Sequence, residues 1–135
     1  MHKTIEQTNA INWFEIPVTD SARARKFYET ILDMTMQTQY AVETKEEITF
    51  FPFVPGVVRA TSGKVSGVLV KNDRVKPSDH GTTVFLNANP SIQEVVDKIE
   101  PAGGRIVIPG TKIMAGYYAI FIDTEGNRVG LHAGA

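Results

Sequence analysis

Apolar and polar positions alternate at the start of the chain. Over residues 11–18, Phe14, Ile16 and Val18 fall on one side and Trp13, Glu15 and Pro17 on the other, the pattern of a half-buried strand. The period then changes. Asp20 is placed to cap a helix whose apolar stripe is Ala24, Phe27, Tyr28 and Ile31, spaced by three and four residues. The second half repeats the plan. Residues 82–88 read as a strand, Asn89-Pro90 as cap and first turn, and Ile92, Val95, Val96 and Ile99 as a second stripe, ended by Pro101 and Gly103-Gly104. Strand-like runs follow each helix, near 34–41, 47–54 and 64–71, then near 105–113, 117–123 and 128–133. The chain therefore reads βαβββ twice, with modules at about 11–71 and 82–133 joined by a polar linker at 72–81. Each half is too small to bury its sheet alone, so one α+β domain over 1–135 is expected.

Composition narrows the function. Fourteen Lys and Arg against fifteen Asp and Glu leave a net charge of -1, which supplies no broad field for nucleic acid or an anionic membrane. The absence of cysteine removes disulfides, thiolate nucleophiles and zinc-thiolate sites together. Residues 1–10 lack the apolar core of a secretory signal, and the most hydrophobic stretch, 50–58, is broken by Pro52, Pro55 and Gly56, so a cytoplasmic protein is expected. No Ser, Thr or Cys nucleophile stands beside a base in any recognisable pattern, and the glycines have no phosphate-loop spacing.

Two segments carry a family resemblance. Residues 11–20 (INWFEIPVTD) followed by Phe27-Tyr28 and Ile31-Leu32 resemble the opening of vicinal oxygen chelate proteins, the glyoxalase, bleomycin-resistance and extradiol-dioxygenase type. Residues 121–132 (FIDTEGNRVGLH) are similar to that family's aromatic strand, DxxGN-type turn and final strand. One departure is Asp33, where the family usually has glycine after the first helix; Asp tolerates the left-handed conformation better than most residues. The resemblance implies two βαβββ modules forming a curled mixed sheet around a cleft. In many members a divalent metal there chelates neighbouring substrate oxygens, and the homodimer is common.

Strand parity and the resemblance together select the site. Side chains alternate with those that face the helices, so Trp13, Glu15, Thr83, Phe85, Asn87, Arg128, Gly130 and His132 are the cleft candidates. The family's first-strand ligand lies seven residues before the Asp that opens the helix, which here is Trp13; its counterpart in the second module is Thr83. The last-strand ligand position is Gly130, and 65–70 contains no Glu or His. His80 in the linker and His2 in a polar tail have no ligand context. A cofactor is therefore not expected, and a divalent metal would require relocated ligands.

The resulting expectation is a binding protein for a small molecule. Trp13, Phe85 and neighbouring aromatics form its slot, and Thr83, Asn87, Arg128 and Gly130 contribute to it. The alternative is a lyase, isomerase or dioxygenase-type enzyme that uses relocated metal ligands or a Glu15/His132 acid–base pair. Blander roles weigh against these: Trp13 as core, Glu15 as a solvated strand residue, His132 in a frayed end, Arg128 as a surface charge. A structural partner domain is a third possibility, the one that the resemblance favours least.

Overall fold

The computed structural model describes residues 4–135; His2 lies outside them. The element order is β1 (Trp13–Pro17), α1 (Ser21–Leu32), β2 (Gln37–Ala41), β3 (Glu46–Phe50), β4 (Ser66–Lys71), then β5 (Phe85–Asn87), α2 (Ile92–Ile99), β6 (Arg105–Ile113), β7 (Gly116–Ile122) and β8 (Arg128–Ala133). These form two four-stranded mixed sheets of the same connectivity, β1-β4-β3-β2 and β5-β8-β7-β6. In each sheet the first strand runs parallel to the last and the remaining pairs are antiparallel. This is the α+β arrangement of two βαβββ modules.

Local chemistry accounts for most of the boundaries. Asp20 Oδ1 accepts the Arg23 N–H at 3.0 Å, satisfying one of the free donors at the start of α1. Asp33 ends the helix in the left-handed conformation, φ 50, in the place where glycine is the usual choice. β3 stops at Phe50, before Pro52, whose carbonyl accepts from Ser66 Oγ at 2.8 Å. β2 starts only at Gln37, because Met36 is fully buried and its N–H is taken by Glu29 Oε2 at 2.8 Å.

The start of α2 differs from expectation. Its N-cap is Ser91 rather than Asn89, and Ser91 makes no side-chain capping bond. Asn89 is committed elsewhere: its amide donates to Asn87 Oδ1 at 2.8 Å and its Oδ1 accepts the Gly134 N–H at 2.9 Å. The first free donor of α2, Ile92 N–H, goes to the Ala135 carbonyl at 2.9 Å. These bonds hold the segment after β8, and β8 lies between β5 and β7, so the frayed end considered for His132 is not observed.

The apolar stripes of both helices meet in one core. Phe27, Tyr28 and Ile31 of α1 share a cluster with Ile92, Val95 and Ile99 of α2, Leu69 of β4, Phe121 of β7 and Leu131 of β8. Phe27 packs against Tyr28 and Phe121 with ring centroids 5.0 and 5.8 Å away. Burying each such ring is worth about 2–3 kcal/mol, which neither module recovers alone.

The 123–127 turn locks the modules. Glu125 accepts the N–H groups of Thr19 and Asp20 at 3.0 and 2.9 Å, and Arg23 Nε lies 2.7 Å from its other oxygen. Tyr28 donates to Asp123 at 2.6 Å and Asn127 donates to the Pro17 carbonyl at 2.7 Å. Burial pushes the Glu125 carboxyl up, but the Arg23 guanidinium and the two N–H groups at the α1 terminus outweigh it and hold it at about 2. Burial, reinforced by the Asp123 carboxylate, raises the Tyr28 hydroxyl well above its ordinary value.

Candidate functional site

Between the two modules lies a cavity of about 880 Å³. Module one contributes Phe14, Leu32, Met34 and Phe51; the segment leading into and along β5 contributes Thr83, Val84, Phe85 and Asn87; Asn9 and Ile11 stand on its rim with Gly63 and Val65. The size is that of a site for a small organic molecule, and the walls are mainly apolar with a few amide and hydroxyl groups.

Two phenylalanines of the wall are each seated on a glycine of the neighbouring strand. Phe14 pairs with Gly67, where an added Cβ would lie 2.6 Å from the ring, and Phe85 pairs with Gly130, where it would lie 2.4 Å from the ring. Real Cβ atoms do not approach so closely, so only glycine leaves these rings where they are. Phe85, the first residue of β5, keeps 51% of its surface exposed. A ring that size left open beside a cavity is a surface available to a ligand.

The other sequence candidates do not gather around this cavity. Glu15 and Arg128 line a second, smaller cavity of about 170 Å³ that shares Thr82 and Val84 with the first. Trp13 lines neither cavity; it is half-buried, packed edge-on to Phe50 and Phe53 at 6.4 and 6.3 Å, with the Arg59 guanidinium 4.4 Å over its ring. His132 Nε2 lies 2.7 Å from the Ala115 carbonyl. A carbonyl can only accept, so that nitrogen carries the proton and Nδ1 is left as the acceptor. Among the described residues no hydrogen bond joins Glu15 to His132, and Arg128 donates to Thr83 Oγ1 at 2.6 Å rather than to Glu15.

Parity also mislaid one wall. Phe14, assigned to the helix side, does face that side, but α1 ends at Leu32 and the sheet beyond its last turn is left open to the cavity. Phe14, Leu32 and Met34 were therefore missed, and Phe51 was one of several aromatics that parity leaves open between core and pocket. The register of β1 with β4, which sets Phe14 over Gly67, marks Phe14 alone.

The positions that would hold a metal do not suit one. Trp13 has no donor for a divalent ion, Thr83 has only a neutral hydroxyl already bonded to Arg128, and Gly130 has no side chain. Among the described residues no three or more His, Asp or Glu side chains are grouped as a metal would need.

Comparison with known families agrees with this architecture. The family model for the Glyoxalase/Bleomycin resistance protein/Dioxygenase superfamily matches residues 10–131. The chain belongs to that superfamily. Among solved structures, glyoxalase I from Zea mays is similar at TM-score 0.62 and 20% identity over 90% of this chain, which spans only 45% of the maize protein. The trypanothione-dependent glyoxalase I of Leishmania major is similar at TM-score 0.65 and 19% identity, covering 93% of this chain and 87% of that one. The fosfomycin resistance protein FosX from Mesorhizobium loti is similar at TM-score 0.58 and 14% identity, covering 98% and 95%. At these identities the likeness is one of fold. The sequence matched none of the curated proteins with which it was compared.

Proposed function

We propose that this glyoxalase-superfamily protein binds a small, largely apolar molecule in the cavity between its modules, without a metal at the superfamily's usual position. The observation that carries the reading is the pair of phenylalanine walls, Phe14 and Phe85, each set by a glycine that cannot be replaced without moving the ring. Thr83 and Asn87 supply polar groups on the same wall. The identities of Trp13, Thr83 and Gly130 support binding without metal chelation. The homodimer implied by the resemblance and the cytoplasmic setting expected from the sequence belong to the same proposal; among the described residues no helix is long and apolar enough to cross a membrane.

Nile red, a neutral apolar dye, tests it. Its emission should rise and shift to the blue on binding, and Phe85→Ala should weaken binding about tenfold, the loss of roughly one ring contact. Trp13→Phe should leave dye binding unchanged. No binding would overturn the reading, and binding that fails with Trp13→Phe and survives Phe85→Ala would move the site to the aromatic cluster around Trp13.

A further inference from the structure

Arg128 is a half-buried cation with an incomplete set of partners. Its Nη1 donates to Thr83 Oγ1 at 2.6 Å. Among the described residues no carboxylate lies within ion-pair distance of it and no other side chain accepts from its guanidinium. A guanidinium presents five N–H donors, and withdrawing it from water without an anion is costly.

Its place relative to the cavities is informative. Arg128 lines the small cavity, whereas Thr83, to which it is bonded, lines the large one. Thr82 and Val84 line both, so the two cavities adjoin along this segment. The charged or titratable side chains of the small cavity are Glu15, Lys76, His80 and Arg128; His80 already faces Asp79. Arg128 and Lys76 face the single lining carboxylate, Glu15, across this space.

We infer that the ligand of the large cavity is an acid-headed apolar molecule, whose carboxylate is taken by Arg128 beside Thr83, where the two cavities adjoin. A carboxylate meets the guanidinium fork with two parallel hydrogen bonds, the geometry that the unused donors offer. Glu15, on the same small cavity, opposes the ligand's charge and so sets how strongly an acid is preferred. This rests on the proposed binding in the large cavity.

The experiment compares octanoate with octanol as competitors for bound Nile red at about pH 8, where the carboxylic acid is ionised. Octanoate is the better hydrated of the two, so without a cation octanol should win. The inference expects octanoate to displace the dye at about tenfold lower concentration than octanol. Arg128→Gln should reverse that order while dye binding persists, Glu15→Gln should widen it, and added salt should narrow it. Octanol winning in the unaltered protein, or the octanoate preference surviving in Arg128→Gln, overturns the inference and leaves the cavity reading standing. Failure of Nile red to bind at all overturns the cavity reading itself.

Discussion

Replacing Glu125 by Gln keeps the side chain's shape and removes the charge on which the junction of the two modules depends. In the folded protein the carboxyl is held at about 2, against an ordinary value of 4.5. A drop of about 2.5 at about 1.4 kcal/mol per pH unit sets an upper limit of about 3.5 kcal/mol for what the charged form contributes. The Glu125 side chain is fully enclosed, but its partner Arg23 is half exposed, and solvent screening of that partner reduces the contribution to about 2 kcal/mol. For a domain of this size that loss lowers the melting temperature by about 6 °C near neutral pH. The group's folded value lies below its unfolded one, so the stabilisation is complete above about pH 5 and is lost as the pH falls toward about 2. Urea unfolding of both proteins at about pH 7 and about pH 3 measures it: the gap of about 2 kcal/mol should shrink to less than half at the lower pH. A gap that is the same at both values, or one under about 0.5 kcal/mol at neutral pH, would show that Glu125 is not an ionic clamp.

Two further outcomes bear on the site. Gly130→Ala places a methyl 2.4 Å from the Phe85 ring. Because that ring is half exposed it can swing out, so the melting temperature should fall by only a few degrees while Nile red affinity falls about tenfold; unchanged affinity would show that the seated ring is not part of the site. Elemental analysis of protein purified without chelator should show no stoichiometric zinc, nickel, manganese or iron, and finding one would mean that ligands other than Trp13, Thr83 and Gly130 have been recruited.

Elements with a complete local signal were legible in the sequence. The α1 stripe, its Asp20 cap and its Asp33 terminator are set within a dozen residues, and each is observed as read. β8 has the bounds expected of it, because the alternation of Val129, Leu131 and Ala133 with Arg128, Gly130 and His132 is complete in six residues. The cap of α2 was misread because the side chain of Asn89 is taken by Gly134, a partner 45 residues away that no local pattern contains.

The sequence by itself determined the double βαβββ plan, the single shared core and the superfamily, since all three follow from hydrophobic period and short motifs. The tertiary structure alone decided which candidates stand together. Thr83, Phe85 and Asn87 wall the large cavity, Glu15 and Arg128 the small one, and Trp13 and His132 neither. Parity assigns a side chain to a face of its strand, but a cavity is bounded by register and by where a helix stops. Phe14 over Gly67 and Phe85 over Gly130 are pairings between strands more than 40 residues apart in sequence, and the physical fact that makes each of them matter, the room left by a missing Cβ, exists only once those strands lie side by side.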